Sequence, residues 1–235
     1  MTEEFPGRVG FLDTWRALAI LTMIVWHFLW DLFLVGVLPE SFVQSGLMQL
    51  VRYGIGVSFV TVSGICARLS RRPLRRGLIV CGAAALVSVV TCLAGAPVRF
   101  GVLHLLGACM LLYAAVRKGW EKLPAAAACG GALAVFLLTF YLPLRVRVSV
   151  PYLFPLGLRT ADFFSADYYP LLPWGALFFA AAAGAERLHD VPRETLVRPA
   201  SKVFTWMSRR SLLLYLVHQP ILLGIAELWS GAFRP

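Results

Sequence analysis

Acidic side chains are scarce in this chain. Asp and Glu number 12 of 235 residues, against 22 Lys and Arg. The resulting net charge of +10 invites a nucleic-acid partner. The basic residues, however, sit between apolar runs, which is how cytoplasmic loops of membrane proteins are marked, so nucleic acid is not an expected partner. Internal repeats and low-complexity linkers are missing, and little is left between the apolar runs from which to build a soluble domain. There is no CxxC pair. Cys66, Cys81, Cys92, Cys109 and Cys129 fall in or beside apolar runs with no metal-ligand partner nearby. They read as small core hydrophobes, and no metal is expected. The N-terminal MTEEFPGRVGFLDTWR lacks the charged, apolar, small-residue succession of a cleaved signal peptide.

What the chain has is apolar sequence. It is 59% hydrophobic, against roughly 45–50% in soluble domains. An integral membrane protein follows, with residues 1–235 expected to form one membrane domain. A membrane-spanning helix needs about 20 apolar residues. Seven stretches qualify: 17–36, 50–68, 77–95, 101–116, 123–142, 170–186 and 211–230, the fourth and sixth being short. The expected fold is all-α, a polytopic membrane bundle of about seven transmembrane helices. With the N-terminus inside, 16 of the 22 Lys and Arg residues fall in inside segments and 6 outside. That bias predicts a multi-pass protein of the plasma membrane with a cytoplasmic N-terminus and an outside C-terminus.

The first of these stretches carries the most chemistry. Phe11 to Asp31 reads FLDTWRALAILTMIVWHFLWD. Ionisable groups inside a membrane helix are costly and need a reason. Arg16 and His27 are about three helical turns apart, and Asp31 is one turn further, so all three share a face. At 1.5 Å per residue His27 lies about 16 Å deeper than Arg16, near the bilayer midplane. A neutral imidazole with a carboxylate one turn away has the make-up of a general base and an orienting partner.

Four other places could complete a cavity. The loop from Arg68 to Arg76 holds five arginines, including Arg71, Arg72 and Arg75. It marks topology, and it can also dock an anionic cytoplasmic substrate such as a nucleotide-bearing cofactor. His104 lies one turn inside the fourth span. Asp162 and Asp167 sit in the proline-broken segment 143–169 and can hold an acceptor's hydroxyl groups. His218, Gln219 and Pro220 fall within the last span, where Pro220 frees a backbone carbonyl that Gln219 or Tyr215 can help satisfy. Ser63, in contrast, has no base placed beside it and reads as a small packing residue. So many ionisable groups at depth point to a functional cavity rather than a purely structural bundle. From the residues alone, group transfer across the membrane and proton-coupled transport fit equally well, since His and carboxylate chains also relay protons. The lack of an internal repeat counts mildly against a transporter.

A family resemblance tips the balance. In order along the chain, LDTWRALAILTMIVWHFLWDL, GVSFVTVSGICARLS, FGVLHLLG, DYYPLLPWGALFFAAAAG and SRRSLLLYLVHQPILL resemble segments of the bacterial relatives of the heparan-alpha-glucosaminide N-acetyltransferase catalytic domain. Arg16, ten residues and then His27 is also similar to the Arg–His spacing of the broader membrane O-acyltransferases that acetylate cell-surface polysaccharides. The resemblance implies a membrane acyltransferase with acetyl-coenzyme A as cytoplasmic donor and a sugar amine or hydroxyl as acceptor on the far side. It implies His27 as catalytic histidine, oriented by Asp31, with Arg16, Arg71, Arg72 and Arg75 on the coenzyme. His104, Asp162, Asp167 and His218 would line the acceptor cavity. The expected partners are acyl-coenzyme A, a saccharide-like acceptor and membrane lipid, with assembly into a homo-oligomer left open.

Overall fold

A computed structural model describes residues 9–197 and 200–233. The described residues are helical, joined by turns and two isolated β-bridges. The helices are α1 (Gly10–Leu34), α2 (Glu40–Val43), α3 (Gly46–Arg68), α4 (Pro73–Leu93), α5 (Val102–Trp120), α6 (Ala125–Thr139), α7 (Leu142–Arg145), α8 (Leu171–Gly184), α9 (Arg193–Val197), α10 (Lys202–Arg209) and α11 (Ser211–Phe233). A helix occupies each of the seven apolar stretches. Six segments are long and apolar enough to cross a membrane: Gly10–Leu34, Gly46–Arg68, Pro73–Leu93, Val102–Trp120, Ala125–Arg145 and Ser211–Trp229. The remaining stretch is α8, whose 14 residues span about 21 Å at 1.5 Å per residue.

The chain divides into two compact units. Among the described residues one contains 9–59, 192–197 and 200–233, the other 60–191. In the first unit α1 is the central helix and packs against α2, α9, α10 and α11. Ala17, Ile20 and Met207 form its buried core, with Ile24, Phe59, Phe204 and Leu214 packed on them. Helix α1 begins at Gly10 rather than at residue 17. Polar Asp13 and Arg16 are therefore helical, and both are accommodated by α10. Ser208 Oγ donates to Asp13 Oδ1 at 2.7 Å, and Arg16 Nη1 donates to Ser208 Oγ at 3.3 Å. Asp13 in the first turn also meets the positive end of the helix dipole.

In the second unit α4 packs on α5, α6 on α8 and α5 on α8. Small residues set these approaches. A Cβ added at Gly64 would run into the Phe178 carbonyl oxygen, and one at Gly107 would meet Cys81 Sγ at 2.5 Å. Pro73 occupies the first turn of α4, where its missing N–H costs nothing. The Leu172–Pro173 peptide is cis, and Leu172 departs from helical φ/ψ inside α8.

Short as it is, α8 lies alongside α5. At its start Tyr168 forms a parallel bridge with Phe100, next to the beginning of α5. Past its end a 3-10 turn, Ala185–Asp190, carries Glu186 to Arg68, with Oε2 to Nη2 at 3.3 Å. Arg68 also pairs at 3.7 Å with Glu121, just beyond the end of α5. The two ends of α8 thus lie at the two ends of α5.

Candidate active site

The paired imidazoles of the first unit are the centre of the site. His27 on α1 and His218 on α11 stand edge to face, with ring centroids 4.9 Å apart. Each ring is anchored to its own helix. His27 Nδ1 bonds the Met23 carbonyl at 2.9 Å, and His218 Nδ1 bonds the Tyr215 carbonyl at 2.6 Å. A carbonyl oxygen can only accept, so in both rings Nδ1 carries the hydrogen. In the neutral rings Nε2 is then the lone-pair nitrogen. Among the described residues nothing hydrogen-bonds to His27 Nε2, and His218 Nε2 is buried without a partner. Trp26, 5.1 Å from the His27 ring, and Tyr215, 5.5 Å from that of His218, pack aromatic faces around the pair.

One turn along α1 lies Asp31, fully buried. Helical spacing suggested that it orients His27. Instead the Met23 carbonyl holds that ring, and Gln219 Nε2 donates to Asp31 Oδ1 at 2.7 Å. Asp31 Oδ2 and Gln219 Oε1 have no partner among the described residues. Buried polar atoms are satisfied in the great majority of cases. Here orphaned atoms of three residues, His218, Asp31 and Gln219, come from two packed helices. These are acceptor atoms of an imidazole, a carboxyl and an amide, left unpaired among the described residues where α1 and α11 pack. The sequence suggested Gln219 as one partner for the carbonyl freed by Pro220, whereas its Nε2 donates to Asp31 on another helix.

Arg16 lies about three turns back from His27 along α1, half-buried and bonded to Ser208 as described above. A groove of about 350 Å³ between α1 and α3 is lined by Trp15, Ala19, Thr22, Gly54 and Ser58 among others. It opens on a different face of α1 from His27 and is mostly apolar.

The other expected residues belong to the second unit. Arg71, Arg72 and Arg75 are exposed around the start of α4. The loop beneath them is tied down by Arg117, whose Nη1 donates to the Ser70 carbonyl at 2.9 Å and whose Nε donates to Glu121 Oε1 at 2.8 Å. Arg68 is spent on Glu121 and Glu186.

His104 has both ring nitrogens engaged. The Gly101 N–H donates to His104 Nδ1 at 3.2 Å. A backbone N–H can only donate, so Nε2 carries the hydrogen and donates to Ser88 Oγ at 2.9 Å, while Ser88 Oγ donates to the Val98 carbonyl at 2.6 Å. His104 thereby closes the first turn of α5. Asp167 Oδ2 accepts from the Val102 N–H at 2.9 Å and caps the same helix. Asp162 is exposed; hydrogen bonds from the Thr160 side chain and its own backbone N–H hold its carboxyl below the ordinary carboxylate value, with Arg99 adding to the effect. The expected site residues thus fall into two groups, His27, Asp31 and His218 with Gln219 in one unit, and His104, Asp162 and Asp167 in the other.

A family profile described as heparan-alpha-glucosaminide N-acetyltransferase, catalytic, matches residues 8–220. No curated protein and no solved structure matches significantly. The profile match takes in His27, His104 and His218 and nearly every element described above, so the chain belongs to the heparan-alpha-glucosaminide N-acetyltransferase catalytic family of membrane acetyltransferases.

Proposed function

We propose that the protein moves an acetyl group from cytoplasmic acetyl-coenzyme A to an amine or hydroxyl of a saccharide-like acceptor on the outer side of the plasma membrane. The observation that carries this reading is the lone-pair Nε2 of His27, whose ring is held through Nδ1 by the Met23 carbonyl beside a second imidazole of the same tautomer. His27 Nε2 takes the proton of the acceptor N–H or O–H as that atom attacks the thioester carbonyl. The C–S bond breaks, and the proton passes on to the departing coenzyme sulfur, leaving the free thiol. His218, at 4.9 Å between ring centres, can share that proton. Asp31 and Gln219 tie α1 to α11 and so set the spacing of the two rings. Arg16, Arg71, Arg72 and Arg75 are assigned to the coenzyme phosphates on the strength of charge and position.

The test is release of coenzyme A thiol from acetyl-coenzyme A by purified protein in proteoliposomes, with glucosamine supplied as a probe carrying both amine and hydroxyl groups. His27→Ala should lower the rate on the order of 10²–10⁴-fold, the usual worth of a general base. A wild-type rate for His27→Ala removes the assignment. The same paired imidazoles favour a second reading, a proton-coupled transporter. That reading requires flux driven by a pH gradient and no binding of labelled acetyl-coenzyme A.

A further inference from the structure

Residues 146–169 lie outside every segment long enough to span a membrane. Two isolated parallel bridges lay this stretch down, Phe100 with Tyr168 and Arg147 with Arg159. The Val148 N–H donates to the Arg159 carbonyl at 3.1 Å and fixes the second of these. Gly157 makes the turn, at φ +100, a conformation that favours glycine; a Cβ there would also approach the Leu172 carbonyl oxygen at 2.7 Å. The register that results sets two arginines side by side.

Their guanidinium groups converge on one acceptor. Arg159 Nε donates to the Pro143 carbonyl oxygen at 2.8 Å, and Arg147 Nη1 donates to the same oxygen at 3.1 Å. The Arg159 guanidinium also lies 5.7 Å from the centre of the Tyr168 ring, which is fixed by its hydroxyl donating to the Phe154 carbonyl at 2.7 Å. Among the described residues no carboxylate lies within ion-pair distance of either arginine. Arg147 Nη1 also donates to the Val146 carbonyl at 3.2 Å, but two carbonyl dipoles cannot neutralise two full charges. Burial and the neighbouring charge of Arg147 both hold Arg159 below the ordinary arginine value, as expected of like charges without a counter-ion. Arg159 keeps both terminal nitrogens and Arg147 keeps Nε and Nη2 for another acceptor. Two forks of donors approaching from two bridged segments suit a group with three oxygens better than one with two.

We propose that Arg147 and Arg159 form a phosphate-binding site, taking the phosphate either of a lipid headgroup or of a soluble molecule. The experiment uses full-length protein in neutral detergent and follows thermal unfolding by tryptophan fluorescence. One arm titrates inorganic phosphate at constant ionic strength. The other dopes phosphatidylglycerol into the micelle, with phosphatidylcholine as control. At least one arm should raise the wild-type melting temperature by a few degrees in a saturable way, and the arm that responds names the source. Arg147→Gln, a change at an exposed side chain, should weaken the response roughly tenfold. The Arg147→Gln/Arg159→Gln protein should lose the response, and Arg145→Gln, a neighbouring exposed arginine, should keep it. No effect in either arm, an undiminished response in the Arg147→Gln or the double variant, or an equal loss in Arg145→Gln overturns the site. No acyl donor is present, so the outcome is independent of the acyl-transfer reading.

Discussion

Asp31 is a buried carboxyl with one oxygen bonded by Gln219 and the other unpartnered among the described residues. Its tolerance of burial rests on that one donor. Gln219→Leu removes it and leaves the whole carboxyl without a partner, which costs about 1–3 kcal/mol. The Asp31→Leu/Gln219→Leu protein removes both ends of the bond and should be more stable than Gln219→Leu alone. Thermal unfolding of the wild-type, Asp31→Leu, Gln219→Leu and double-variant proteins in detergent checks the order and gives both single losses. A double variant that simply adds the two losses would show that the bond contributes nothing. His104 poses the complementary case. Both of its nitrogens serve the turn that starts α5, so its effect should be on folding rather than on rate. His104→Ala is expected to lower stability by about 1–3 kcal/mol while the acetyl-transfer rate per folded molecule stays near wild type. Loss of transfer with stability intact would instead put His104 in the chemistry.

Among the helices, packing turns on how closely backbones approach, and two glycines separate that effect from helix propensity. At Gly64 on α3 an added methyl would run into the Phe178 carbonyl of α8. Gly64→Ala must push the helices apart, and overpacking of this kind costs about 1–3 kcal/mol. At Gly82 on α4 nothing lies within 4 Å of the added atom. Gly82→Ala should stabilise by about 0.5–1 kcal/mol through helix propensity alone. Opposite shifts in melting temperature are the expected result, and equal shifts would discard the close approach. The same contrast shows what the residues reveal before folding. The positions of the six candidate spans and of the shorter α8 follow from apolar runs, because a membrane helix needs little beyond length and hydropathy. The early start of α1 does not follow, because it depends on Ser208 reaching Asp13 and Arg16 from nearly two hundred residues away. In the site, His27, Asp31 and His218 are legible as costly groups at depth. Their hydrogen bonds are not, because whether Asp31 holds His27 or Gln219 depends on how α11 packs on α1.

At the scale of the whole molecule the open quantity is sidedness, and helix parity makes it testable. Leu74, at the start of α4, and Tyr152, beyond Arg145, are separated by three candidate spans, Pro73–Leu93, Val102–Trp120 and Ala125–Arg145. An odd number of crossings puts the two positions on opposite sides of a membrane. The charge bias predicts the sides: five arginines lie around Leu74 between Arg68 and Arg76, and the expectation is a cytoplasmic loop. Both side chains are exposed, Leu74 at 56% and Tyr152 at 82%, and neither belongs to a proposed binding site. With the five native cysteines replaced, Leu74→Cys and Tyr152→Cys proteins can be treated with a membrane-impermeant thiol reagent in intact spheroplasts. Tyr152→Cys should label at once, whereas Leu74→Cys should label only after permeabilisation. The inverse pattern would place the arginine-rich loop outside, away from cytoplasmic coenzyme, and with it would fall the assignment of Arg71, Arg72 and Arg75. Labelling of both in intact cells would break the three-crossing count itself. The expected pattern also bears on α8, because Glu186 returns to Arg68 at the end where Leu74 lies. A cysteine in place of exposed Glu186 should therefore be shielded in intact cells as Leu74→Cys is, making α8 a crossing despite its 14 residues.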